Sequence, residues 1–89
     1  MSEEKVNLDK EILQRAVGRV VRKQRELINE NRAEVAWNVG TDTSHLGNIE
    51  RGQTEVGLQI LTSLQIYLNF TSEDYIREYD QMINELKTP

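Results

Sequence analysis

The stretch RAEVAWNVGTDTSHLGNIERG, residues 32–52, decides the fold. In its second half Asp42 is a good N-cap residue, placed before a run whose apolar members Leu46 and Ile49 lie three apart and share one helical face. At about 100° per residue, the opposite face collects Ser44, Gly47, Asn48 and Arg51, with Thr43, His45 and Glu50 at its borders. That outer face is short, polar and nearly free of bulk. A glycine inside a helix costs about 1 kcal/mol against alanine, so Gly47 reflects either close approach by another surface or simple tolerance. In the first half Asn31 can cap a helix running to about Val39, with Val35, Ala36 and Val39 inward. Gly40 then ends it, because glycine at this position takes the left-handed backbone that turns the chain within about three residues. Two helices joined so tightly cross at a steep angle and leave the second one's outer face proud of the surface.

Outward from this stretch the pattern stays helical. Residues 1–7 are polar apart from Met1 and Val6 and read as a mobile tail. A first helix is expected from residue 8 or 9 to residue 28, with Ile12, Leu13, Ala16, Val17, Val20, Val21, Leu27 and Ile28 on one broad apolar face and Arg15, Arg19 and Arg22 on the other. Gln24 falls within the apolar face and must find a partner or tilt outward, since an unpaired buried amide costs roughly 1 to 3 kcal/mol. A fourth helix is expected over residues 58–68, burying Leu58, Ile60, Leu61, Leu64, Tyr67 and Leu68, with Ile66 on the opposite side. Thr71 or Ser72 caps a final helix to about Leu86, helped by Glu73 and Asp74 in its first turn. Its stripe of Tyr75, Ile76, Tyr79, Met82, Ile83 and Leu86, about 120° wide, is enough to dock on the domain or on a second copy. Together with Ile66 it is the expected dimer surface.

The spacing from Arg32 through Val35 and Ala36, Gly40, Leu46 and Ile49-Glu50-Arg51-Gly52 resembles the helix-turn-helix of the phage-repressor family, the Cro/cI or Xre type. The match runs from about Ala16 to Phe70 with no insertion or deletion. What the resemblance implies is an all-α, lambda-repressor-like DNA-binding domain, a compact bundle of about five helices, here extended by a C-terminal amphipathic helix. It also implies a transcriptional regulator, expected to be a repressor, that binds operator DNA as a homodimer. Residues 8–70 would form the DNA-binding domain and residues 71–89 the dimerising segment. Arg25 and Glu50 match positions at which the family commonly pairs an arginine of helix 1 with a glutamate at the end of the recognition helix. The pair is expected partly buried, orienting rather than stabilising, because desolvation offsets much of the attraction.

Some positions depart from the family. Asn29 stands where glycine is usual, and asparagine is the next residue best able to turn left-handed. Glu30 replaces an apolar residue, so the corner between helices 1 and 2 packs differently. Arg32 stands where glutamine often touches a phosphate, and arginine keeps that capacity. Trp37 occupies a position that usually faces solvent, leaving it either folded over helix 1 or offered to a partner. In the loop QTEVG, Gln53 and Thr54 can approach the DNA backbone, whereas Glu55 would repel it.

On this reading a recognition helix of about residues 43–51 enters the major groove, where Thr43, Ser44 and Asn48 reach base edges; asparagine can bond adenine with both amide atoms. Asn31, Arg32, the backbone at Gln53 and Thr54, and Arg19 or Arg22 would contact the DNA backbone and set register, while His45 and Arg51 at the edges can meet phosphates or bases.

Composition constrains the alternatives. At 89 residues the chain is one domain, burying only about 60 to 65% of its unfolded surface. The absence of cysteine rules out disulfides and thiolate metal sites. No apolar run reaches the length of about 18 residues needed to span a membrane, and no signal-peptide pattern is present, so a cytoplasmic protein without membrane partners is expected. The formal charge of -4 argues at first against a polyanion. Its distribution matters more: residues 12–33 hold six basic residues (Arg15, Arg19, Arg22, Lys23, Arg25, Arg32) against Glu26 and Glu30. Beyond Gly52 six acids (Glu55, Glu73, Asp74, Glu78, Asp80, Glu85) face only Arg77 and Lys87. Such asymmetry permits a basic DNA face with an acidic far end. Catalysis is not expected, since a lone His45 without cysteine supplies neither a thiol-imidazole pair nor a multi-histidine zinc site; no metal or small-molecule cofactor is implied. The rival reading is a helix-turn-helix module whose partner is another protein, antitoxin-like or binding an anti-repressor, favoured by net acidity, Glu55 and Trp37.

Overall fold

Side-chain caps set most of the helix starts. A computed structural model describes residues 5–87 and gives α1 (Lys10–Leu27), α2 (Arg32–Val39), α3 (Thr43–Glu50), α4 (Leu58–Leu68) and α5 (Ser72–Lys87), with no strand among the described residues. Residues 1–4 of the expected tail and 88–89 of the C-terminal segment lie outside the described residues. Asp9 accepts from the Ile12 amide at 3.1 Å, Asp42 from the His45 amide at 2.7 Å, and Asn31 closes a reciprocal capping box with Glu34. Thr71 and Asp74 form a similar reciprocal cap on α5. Each satisfies amides that a helix start would otherwise leave bare. The chain leaves α1 through Asn29 at φ 58°, leaves α2 through Gly40 at φ 81° and leaves α4 through Asn69 at φ 59°. No helix of the described residues is long and apolar enough to cross a membrane.

The main core joins α1 to α4. Leu46, Ile49, Leu64, Leu68, Val21 and Val35 are fully buried, and Phe70 closes one end. Gln24, placed by its spacing on the apolar face, donates to the Leu68 and Asn69 carbonyls at 3.2 and 3.4 Å, so its amide serves the C-terminal end of α4. At the corner between α1 and α2, Tyr67 donates its hydroxyl to Glu30 at 2.6 Å, which explains a carboxylate where an apolar residue was more natural.

A second, smaller cluster is built from Ile12, Ala16 and Tyr79, with Leu13, Met82 and Ile83 against it. It forms because α5 runs back along α1: Arg19 bonds Glu78 at 2.8 Å, and the Tyr79 hydroxyl accepts from the Asp9 amide at 2.8 Å. Of the expected dimer surface, Tyr79 is buried and Met82 and Ile83 are partly buried in this cluster, while Tyr75 is partly buried against the main core. Only Ile66, Ile76 and Leu86 of that set stay exposed. Two helix faces also differ from expectation. Leu27 and Ile28, at the C-terminal end of α1, are exposed, although Gln24 and Arg25 just before them are bonded to the end of α4 and to Glu50 of α3. Leu58, the first residue of α4, is 79% exposed; at about 100° per residue it lies closest to Gln65 and Thr62, at the edge of the Leu61, Leu64 and Leu68 stripe.

Two glycines fix how α3 meets α1. A methyl on Gly18 would press into the Ile49 carbonyl and stand 2.7 Å from that of Glu50; one on Gly52, itself at φ 70°, would meet Arg15 backbone at 2.8 Å. The end of α3 is therefore seated directly on the backbone of α1. Gly18→Ala should destabilise the fold by about 1 to 3 kcal/mol, the overpacking penalty outweighing alanine's better helix propensity. Urea unfolding should show a lower midpoint at unchanged slope; a midpoint equal to or above that of the parent would mean the α1 to α3 approach is slack.

Candidate nucleic-acid interface

The inner side of α3 is tied down at each turn. Leu46 and Ile49 are wholly buried, and Glu50 at the last turn is the one buried charged residue among those described. Its carboxylate, 1% exposed, accepts from Arg25 Nε at 2.6 Å and Arg25 Nη2 at 3.0 Å, and from Arg32 Nε at 2.9 Å. Arg25 also donates to the Glu30 carbonyl at 2.9 Å. Burial pushes the Glu50 pKa up, but the hydrogen bonds from Arg25 and then Arg32, with their charges, outweigh it and hold the carboxyl below its ordinary range. The Arg25 guanidinium is held correspondingly more basic by the same hydrogen bond.

The outer side carries the expected small polar residues. Thr43 and Ser44 are exposed on the first turn, and His45 and Asn48 are half-buried. Gly47 is buried, which the sequence did not indicate. The guanidinium of Arg51 lies over it, with Nη1 and Nη2 at 3.1 and 3.3 Å from where a methyl would stand. Arg51 Nη2 donates to Asn48 Oδ1 at 2.8 Å and its Nε to Gln53 Oε1 at 3.1 Å.

The residues expected to meet phosphates are mostly engaged already. Arg32 holds Glu50, Arg19 holds Glu78, and Arg22 reaches Glu26 at 3.3 Å. The Asn31 side chain is committed to the capping box. Thr54 donates to the Glu55 carbonyl at 3.4 Å, and Glu55, which looked repulsive toward phosphate, pairs with Lys10 at 3.1 Å. The arginine face of α1 does adjoin the end of α3. Arg15, Arg19, Arg22 and Arg51 share a shallow cleft of about 260 Å³ with Glu50 and Met82. Arg15 belongs to this group by position, and its place on the face with Arg19 and Arg22 was the available signal. The structural roles of Gly18 and Gly52 could be flagged only as glycines inside or just after a helix.

No family model matches the chain, and no curated protein matches it. Among solved structures, the crystal structure of the clp gene regulator ClgR from Corynebacterium glutamicum is similar, with a TM-score of 0.73, 24% identity, and coverage of 84% of this chain and 80% of that one. At that identity the likeness establishes the all-helical fold.

The Glu50 clamp yields a pH test. A carboxyl whose folded pKa lies below its ordinary value of 4.5 contributes its full stability above that pH and loses it as pH falls through the folded value. Glu50→Ala leaves two arginines facing a vacated site and should cost roughly 3 to 5 kcal/mol at neutral pH. Urea midpoints measured from pH 7 downward should fall more steeply below pH 4.5 for the parent chain than for Glu50→Gln. Parallel curves would remove Glu50 as the source of acid sensitivity.

Proposed function

We propose that this chain is a transcriptional regulator of the phage-repressor (Cro/cI, Xre) type that binds double-stranded operator DNA sequence-specifically, acting as a cytoplasmic repressor and as a homodimer. The observation that carries this reading is α3 itself. Its apolar side and terminal carboxylate are locked into the fold, while Thr43 and Ser44 stand exposed on its first turn beside Asn48. A helix docked in the major groove uses its N-terminal residues on base edges, and short polar side chains let the helix come close. The adjoining arginines of α1 supply the charge a phosphate backbone requires. ClgR, described as a gene regulator, has the same fold.

Thr43, Ser44 and Asn48 are the proposed base contacts. Arg19, Arg22, Arg32, Gln53, Thr54 and Asn31 are the proposed backbone contacts, of which Arg19 and Arg22 exchange an exposed internal partner for phosphate; His45 and Arg51, at the edges of the reading face, can meet a phosphate or a base. Two copies would meet half-sites about 34 Å apart, on a near-palindromic site. Ile66, Ile76 and Leu86 are the members of the expected dimer surface still open to a second copy.

A second reading, a module that binds another protein, rests on Trp37. It is 84% exposed and does not fold over α1, and tryptophan is a frequent anchor of protein interfaces.

Fluorescence anisotropy on duplexes selected from a random pool, over a salt series, tests the first reading. Log affinity should fall linearly with log salt. Arg22→Gln should weaken every duplex alike and flatten the slope by about one unit, whereas Trp37→Ala should leave affinity unchanged. A loss confined to one sequence would make Arg22 a base contact. No salt-dependent binding to any duplex, with capture of a protein partner abolished by Trp37→Ala, would establish the second reading.

A further inference from the structure

Arg51 is the least settled residue of the reading face, because a guanidinium at the end of α3 can serve a phosphate or a base. Its geometry in the free protein decides between them. A helical side chain leans toward the N-terminus of its helix, and Arg51 does so, covering Gly47 and bonding the Asn48 side chain. A guanidinium can only donate, so the Asn48 atom facing it must be the carbonyl oxygen, and the amide nitrogen is turned away. The same argument fixes Gln53, whose Oε1 receives the Arg51 Nε proton. Both amide oxygens on this face are thus drawn to one cation. The hydrogen bonding left for a ligand is dominated by N–H groups, those of Asn48 Nδ2 and the unused guanidinium protons. Donation into the Asn48 oxygen also polarises its amide and strengthens Nδ2 as a donor.

Resting on the DNA-binding reading above, we propose that Asn48 and Arg51 form one composite reading group, with Gln53 as its brace, that selects guanine. Guanine offers two acceptors, O6 and N7, on its major-groove edge, whereas adenine pairs one acceptor with a donor. An isolated asparagine matches adenine by using its oxygen and nitrogen together. Here the oxygen already receives a charged donor, and the positive charge beside it favours a base edge made of acceptors. Gly47 leaves room for the pair: a methyl there would stand 3.1 Å from the guanidinium, which would have to give by a few tenths of an ångström.

The test is selection of duplexes from a random pool by the full chain, followed by affinities for the four bases at the selected position. The variants are Asn48→Ala, Arg51→Ala, Arg51→Lys and the double alanine variant. Arg51 is exposed and all four should fold, which circular dichroism melts check. The parent should select guanine at one position of each half-site. Each single alanine variant should relax that same position by roughly 10- to 100-fold, and the double variant by no more than the larger single effect. Arg51→Lys, which keeps the charge and loses the planar fork, should relax it as well. Adenine at the position that Asn48→Ala relaxes would overturn the proposal. So would relaxation of two different base pairs by the two alanine variants. Uniform weakening of all sequences by Arg51→Ala, with a flatter salt slope, would also overturn it by making Arg51 a phosphate contact. A pool that enriches no sequence, with no retained complex at low salt, would instead defeat the DNA-binding reading on which the proposal rests.

Discussion

The buried carboxylate of Glu50 is the constraint from which the rest of the arrangement follows. It sits at the last turn of α3 and takes three hydrogen bonds, two from Arg25 on α1 and one from Arg32 at the start of α2. Three helices therefore meet on one pair of oxygens. Taking such charges out of water costs several kcal/mol per ion, and their attraction only partly offsets it. An apolar side chain of similar volume could fill the same space with comparable stability. What it could not do is fix direction, because apolar contacts tolerate sliding and rotation that a forked hydrogen-bond set does not. Beside the clamp, Gly18 and Gly52 let the end of α3 rest on the α1 backbone with no side chain between them. Backbone contact on one side and a two-arginine clamp on the other leave α3 little freedom to roll. Its outer face is aimed by its inner one.

The same chemistry governs the charge of the surface. A chain of net charge -4 that is to approach a polyanion must keep its acids away from the approach or occupy them. Here several are occupied. Glu78 holds Arg19, Glu26 holds Arg22, Glu50 holds Arg32, and Lys10 holds Glu55. Exposed pairs of this kind are worth little, typically under about 1 kcal/mol, so exchanging their partner for a phosphate is cheap. The pairs at Arg19 and Arg22 fall in this class. Arg32 differs, because releasing it removes one bond from a carboxylate that is 1% exposed. Arg32 is thus better suited to holding α3 than to meeting a phosphate, although its place at a helix start fits both.

What the sequence made legible follows from where the physics is local. Caps and turns depend on a few neighbouring residues, and Asp9, Asn31, Asp42, Thr71, Asn29 and Gly40 act as their types require. The pairing of Arg25 with Glu50 was legible through resemblance, since no local rule joins positions 25 residues apart. The stripe on α5 was legible as a stripe. Its destination was not, because periodicity says that a face is apolar and nothing about which surface covers it. Leu27 and Leu58 were misassigned for a related reason: each is the terminal residue of its helix, and a stripe counted along a helix does not say how far along it the covering surface reaches. The link from Arg51 to Asn48 was out of reach, since it depends on the rotamer of a long side chain in competition with solvent.

These facts divide the α3 region into a part that is costly to change and a part that is not. Leu46, Ile49, Glu50, Gly18 and Gly52 make contacts to buried side chains or to backbone, and each replacement there leaves a cavity, an unpaired charge or a clash. Thr43 and Ser44 project from the first turn into solvent, and replacing them disturbs no packing. Asn48 and Arg51 stand between the two classes, bonded to each other but not to the core. A fold so divided can hold one orientation of α3 while its outward residues vary. What such a helix recognises is then set by the few side chains that do not hold it in place, and the surrounding helices fix only where those side chains are presented.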